Sequence, residues 1–89
     1  MKVIVQTSQF KQDIKRAKYA GRYDIDDLLA IVELLARNEP LAEKHKEHQL
    51  HGNWKNHKEC HIKPDWLLIY QQLPDKLILV RTGSHSELF

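Results

Sequence analysis

The run from Trp66 to Thr82, WLLIYQQLPDKLILVRT, decides the fold. Its first part, WLLIYQQ, is the most apolar strand-like segment and predicts the centre of a sheet. Leu73-Pro74-Asp75 then predicts a hairpin turn, because proline presets φ and aspartate bonds its own backbone. Lys76 to Thr82 returns as the next strand, and Gly83 ends it, leaving Ser84 to Phe89 as a short tail. On the other side of Trp66, Lys63-Pro64 predicts a turn, since proline drives the residue before it toward extended geometry. The strand before that turn starts near Trp54 and runs through His61 and Ile62. These segments make an antiparallel meander.

Upstream lies a different periodicity. Lys2 to Gln6, KVIVQ, is short and β-branched and predicts a first strand. Thr7 or Ser8 caps a helix whose buried positions are Phe10, Ile14 and Ala17, and Gly21 closes it. Asp24 or Asp26 caps a second helix with the stripe Ile25, Leu28, Leu29, Val32 and Leu35, widened by Ile31 and Leu34. Asn38 to Pro40 stops it, and Leu41 to Gln49 is charged and mostly irregular. The expected fold is α+β in the order β-α-α-β-β-β, an antiparallel sheet with an N-terminal helical hairpin on one face. The other face is left for solvent or a ligand. Alternation puts His57, Glu59 and His61 on one face and Lys58, Cys60 and Ile62 on the other.

The 89 residues predict one domain. Hydrophobic residues reach 42%, too many for a disordered chain, and no apolar run is long enough to span a membrane. No signal peptide is expected, and the single cysteine, Cys60, forms no internal disulfide and suits a reducing cytoplasm. The net charge of +2 does not by itself announce a nucleic-acid binder. Between Leu41 and Pro64, however, five lysines and five histidines stand against three glutamates, and protonated histidines would make the segment clearly basic.

The stretch His48 to Trp66, HQLHGNWKNHKECHIKPDW, carries most of the groups able to do chemistry. Attack of a 2′-hydroxyl on the neighbouring phosphate of RNA needs a general base, a general acid and a cation for the charge that builds up. Histidine, with an unperturbed pKa of ~6.5, suits both proton transfers. His48, His61, Asp65 and His85 are the candidates for proton transfer, with Arg81, Lys55 and Lys58 for charge and Trp54, Trp66 and Phe89 for base stacking.

Three motifs narrow this reading: H-x-L-x-G-x-W-K from His48 to Lys55, ECHIKPDWLLIY from Glu59 to Tyr70, and RTGSHSELF from Arg81 to Phe89. Together they resemble the YafQ branch of the RelE/ParE toxin superfamily across essentially the whole chain. The resemblance implies an mRNA interferase, the toxin of a type II toxin–antitoxin pair. Such a toxin cuts mRNA in the ribosomal A site without a cofactor, is restrained by a DinJ-like antitoxin and meets operator DNA only through that complex. It places the cleavage residues at His48, His61, Asp65 and His85, with Phe89 as the terminal aromatic, Trp66 shaping the site and Arg81 against the phosphate. His85 is then the general acid and Asp65 or His48 the base. Where the family commonly reads Gly-Tyr-Arg, this chain has Asn56-His57-Lys58. The ParE side of the superfamily, which binds DNA gyrase and lacks this histidine–aspartate set, is the alternative.

Blander roles are assigned beside these. His45 and His51 are expected to be surface residues, Trp54 and Trp66 to be core or site walls, and Cys60 to be buried and inert. The spacings His48-x-x-His51 and His57-x-x-x-His61 raise zinc as an alternative. Residues 57–61 read as strand, which separates histidines at that spacing, so no metal site is expected.

Overall fold

The computed structural model describes residues 1–21 and 23–89. Among them, five strands form a single sheet in the order β1-β5-β4-β3-β2. The strands are β1 (Val3–Gln6), β2 (His48–Gln49), β3 (Lys58–Lys63), β4 (Trp66–Gln72) and β5 (Lys76–Gly83). The run that decides the fold is the β4–β5 hairpin, and β4 lies at the centre of the sheet. Its first five residues are buried, as a strand covered on both faces requires.

The sheet is mixed rather than antiparallel. β1 pairs parallel to β5, with Val3 opposite Lys76 and Gln6 opposite Leu79. The two helices between these strands form the long crossover that parallel neighbours need. Pairing through β2, β3, β4 and β5 is antiparallel. A bulge between Ile69 and Tyr70 in the β4–β5 ladder shifts the register beside Val80 and Arg81.

Helix α1 (Ser8–Ala20) begins at Thr7, whose hydroxyl accepts the Phe10 N–H at 3.0 Å and donates to the Val80 carbonyl at 2.8 Å. The N-cap thus also fixes the helix to β5. Gly21 closes α1 in the left-handed conformation, at φ 65°. Helix α2 (Ile25–Ala36) is capped by Asp24, which accepts the Asp26 N–H. Phe10, Leu28, Ile31, Val32, Leu35 and Ala36 pack with Cys60, Ile62, Trp66, Leu68, Tyr70, Leu77 and Leu79 in the main core. Leu29, expected in the buried stripe, is 56% exposed. Leu28 and Val32 already face the sheet, and Leu29 is turned about 100° away from Leu28 around the helix axis. Among the described residues, no helix is long and apolar enough to cross a membrane.

Three further segments depart from the expectation, the first being β2, a fifth strand in the stretch expected to be irregular. Gly52–Trp54 is a 3-10 turn, so β3 starts only at Lys58. The tail is a one-turn helix, α3 (His85–Leu88), started by a Ser84/Glu87 capping box. Leu88 closes a second, smaller core with Leu67 and Ile69, against which Leu50, Trp54 and Val80 pack.

The two long helices cover the Cys60/Ile62 face of the sheet, so the Glu59/His61 face is the one left for chemistry. Cys60 is fully buried in the main core, and burial pushes its thiol up to about 12, so it remains protonated and inert as expected. Tyr70 is buried too and donates its hydroxyl to Glu47, which anchors the irregular segment before β2.

Candidate active site

The open face is built from ladder rows. His48 of β2 stands opposite Glu59 of β3, and Glu59 opposite Ile69 of β4. One step along, His61 stands opposite Leu67, and Leu67 opposite Gly83, two residues before His85. Cross-strand partners share a face, so His48, Glu59 and His61 rise from a floor made by Leu67 and Ile69.

At the centre of this group is Glu59, which is only 5% exposed. One carboxylate oxygen, Oε1, lies 3.4 Å from His48 Nε2 and 3.9 Å from His61 Nε2. The other, Oε2, is buried with no hydrogen-bond partner among the described residues. A buried carboxylate with an unused oxygen carries a desolvation cost that hydrogen bonds or nearby positive charge offset. The two imidazoles are the side chains that face Oε1.

The tautomers follow from the remaining hydrogen bonds. His48 Nδ1 is 2.7 Å from the Lys46 carbonyl, and His61 Nδ1 is 3.2 Å from the Pro64 carbonyl. A carbonyl only accepts, so each Nδ1 must carry the proton and donate. Each Nε2 therefore has a free lone pair while the ring is neutral and becomes a donor toward Glu59 once the ring is protonated. Alternation places Glu59 beside His61, but only the structure reveals that it is buried between the two histidines.

His85 is carried by the one-turn helix that Leu88 anchors on Leu67 and Ile69. It is exposed at the first position of α3, with its ring centroid 5.1 Å from that of Phe89. Phe89, itself 52% exposed, meets Trp54 edge-on at 6.3 Å. His57 packs edge-on against Trp54 at 5.4 Å and donates from Nδ1 to the Lys55 carbonyl at 2.9 Å. The aromatic pair Trp54 and Phe89 thus borders the face, beside an exposed imidazole.

The other candidates are placed as follows. Asp65 is exposed in the β3–β4 turn, where its backbone carbonyl accepts from the Tyr23 hydroxyl at 3.4 Å. Among the described residues its carboxylate makes no hydrogen bond or ion pair. Lys55 is exposed at the end of the 3-10 turn. Lys58 does not join the site, because it lies in the row of Gln49 and Tyr70, on the face that carries the main core. Asn56 adopts φ 68°, so the left-handed backbone a glycine would favour is kept by the residue type that tolerates it best among side-chain-bearing residues.

Trp66 cannot touch RNA. It is fully buried, stacked on Tyr23 at 4.4 Å, and donates from Nε1 to Thr82 Oγ1 at 2.8 Å. It shapes the site only from beneath. Arg81 stands opposite Ile69, in the row of His48 and Glu59, yet its fork is already occupied. Nε and Nη2 each donate to Asp13 of α1 at 3.0 Å, and this bonding holds the guanidinium above its usual pKa. Asp13 also accepts the Thr82 N–H at 3.2 Å, so α1 covers the edge of β5 beyond the end of β1. His45, expected at the surface, donates from Nδ1 to the His61 carbonyl at 2.6 Å and so steadies the strand beneath the site. No group of three or more His, Cys, Asp or Glu side chains among the described residues is arranged to hold a metal ion.

Known proteins share this fold and sequence. The family model described as "Bacterial toxin of type II toxin-antitoxin system, YafQ" matches residues 2–89. The mRNA interferase toxin YafQ of Escherichia coli is 40% identical over 88 residues, spanning 97% of this chain and 94% of that protein. The E. coli DinJ–YafQ toxin–antitoxin complex contains a chain that superposes with a TM-score of 0.90 at 36% identity, covering 99% of this chain and 97% of that one. A metal-bound toxin from Helicobacter pylori does so with a TM-score of 0.90 at 44% identity, covering 100% of both chains. The chain belongs to the YafQ family of bacterial type II toxin–antitoxin toxins.

Proposed function

We propose that the chain is an endoribonuclease, an mRNA interferase that cleaves mRNA in the A site of the ribosome. The observation that carries this reading is the buried Glu59 beside His48 Nε2 and His61 Nε2, on the sheet face where Leu88 anchors the helix that carries His85. One imidazole of the β2–β3 pair takes the 2′-hydroxyl proton, and Glu59 stabilises the imidazolium that forms. His85 protonates the departing 5′-oxygen. Phe89 and Trp54 receive a base, since both lie at the rim and stacking there tolerates any sequence. Lys55 and the remaining Arg81 nitrogen, Nη1, supply positive charge to the phosphate, and Lys58 lies on the far face. Asp65, in its exposed turn, contacts the RNA or the ribosome rather than holding an imidazole.

The partner is a DinJ-like antitoxin, as in the E. coli complex. Operator DNA is met only through that complex. The proton-transfer groups sit on this chain, so cleavage proceeds with a chelator present. The H. pylori toxin is metal-bound. A transition metal on His48 or His61 would occupy the Nε2 lone pair that the reaction uses, so added metal inhibits here.

Toeprinting of mRNA on programmed ribosomes, with purified toxin and a chelator, tests the reading. New breaks in the A-site codon are expected. No breaks, with inhibition of DNA gyrase supercoiling instead, would return the chain to the ParE-like alternative. In the same assay Glu59→Gln keeps the shape of the site and removes the charge between the imidazoles. We expect a loss of roughly 10–10²-fold, within the range assigned to acid–base groups and their supports. A rate equal to wild type would deny Glu59 this role.

A further inference from the structure

We infer that Arg16, on α1, is a positioning residue for His85, and that it acts through Glu87. This rests on the reading of His85 as a group that touches the reacting RNA. Helix α3 is a single turn, and one turn cannot hold its own geometry, because nucleating a helix costs more than its first hydrogen bonds return. Something outside the turn must fix the direction of its first residue, His85.

Among the described residues, three contacts do so. Leu88 is buried in the smaller core and anchors the end of the turn. Ser84 and Glu87 close the capping box, with Glu87 Oε1 accepting the Ser84 N–H at 2.8 Å and Ser84 Oγ accepting the Glu87 N–H at 3.3 Å. The third contact reaches outside the element. Glu87 Oε2 lies 3.3 Å from Arg16 Nε, so one carboxylate starts the turn with one oxygen and ties it to α1 with the other. Gly83 allows this close approach, because a Cβ there would come within 3.1 Å of Glu87 Oε1.

Arg16 is itself held. Its Nη2 donates to Asp13 Oδ1 at 3.2 Å, and Asp13 is 1% exposed and bound by both Arg81 and the Thr82 backbone. A continuous chain of hydrogen bonds and one ion pair therefore runs from the edge of β5 through Asp13, Arg16 and Glu87 to the backbone immediately before His85. The Arg16 side chain is 51% exposed and that of Glu87 is 32% exposed, so the pair adds little to stability. Its effect is on direction.

The test compares wild type, Arg16→Ala, Arg16→Lys, Glu87→Gln and the Arg16→Ala/Glu87→Gln double variant. Single-turnover cleavage on programmed ribosomes is measured alongside the ring 1H–15N resonances of His85 in the free toxin. Arg16→Ala is expected to lower kcat roughly tenfold at unchanged KM, inside the ~10²-fold that a ~1 Å misplacement costs. The denaturation midpoint stays near wild type, the His85 resonances shift, and Arg16→Lys recovers part of the rate. The double variant loses no more than the worse single one, because both break one link. Wild-type cleavage by Arg16→Ala with unmoved His85 resonances would overturn the inference, as would losses that multiply in the double variant. A wild-type toxin that fails to cleave removes the proposed function instead, and the His85 resonances still decide whether Arg16 orients the ring.

Discussion

Replacing His85 with alanine is expected to lower the rate of mRNA cleavage by roughly 10²–10⁴-fold, the range that a positioned general acid contributes. The position makes this a clean experiment. His85 is exposed, and the anchor of its helix is Leu88, three residues on. Ser84 and Glu87 still close the capping box when the imidazole is gone. The fold should therefore survive, with a denaturation midpoint close to wild type, and the loss should fall on kcat. Alanine also removes the face that packs on Phe89, so His85→Gln is the companion variant, keeping bulk without a titrating ring. A single-turnover rate within threefold of wild type for both variants would take the acid role away from His85 and return it to the His48–His61 pair.

Asp13→Asn is expected to destabilise the protein more than any change at the open face. Asp13 lies inside the structure, where it receives two bonds from Arg81, one from Arg16 and one from the Thr82 backbone. The amide retains one oxygen acceptor and turns an NH2 group toward a guanidinium. Removing one partner of a buried ion pair costs about 3–5 kcal/mol, because the other charge stays behind. Arg81 keeps 23% of its side chain exposed, which favours the lower end, about 3 kcal/mol. For a domain of this size that lowers the melting midpoint by more than about 10 °C. Differential scanning calorimetry measures it, and a midpoint within a few degrees of wild type would show that Asp13 only decorates the edge of β5.

Much of this architecture could be read from local signals. The β4–β5 hairpin follows from two apolar runs around Leu73-Pro74-Asp75, and the helix ends follow from Thr7, Gly21 and Asp24. What local signals cannot carry is pairing at a distance. Nothing near Val3 announces a parallel partner at Lys76, and nothing near Arg81 announces Asp13, 68 positions earlier. The candidate site divides along the same line. Alternation placed Glu59 with His61, and the helices then decided which face stays open, which separates Lys58 from the chemistry. Trp66 follows an exposed aspartate and so reads as a site residue, yet strand geometry turns it into the core beneath. Ser84-x-x-Glu87 is a legible capping signal that marks the tail as helical.

The parallel seam between β1 and β5 also constrains when the toxin can become active. Thr7 donates to the Val80 carbonyl 73 positions away, so the sheet cannot be completed until nearly all of these residues have been made. Contacts so distant in sequence delay folding, because the intervening loop must close before they repay its entropy. α1, which holds the edge of β5 through Asp13, waits for the same event. His85 and Phe89 follow that last strand in the chain. A partly synthesised chain therefore carries His48 and His61 without the sheet edge that aims the remaining imidazole. The candidate site is therefore completed only after the final strand has been made, which leaves an interval in which a partner can meet the chain before it is fully folded.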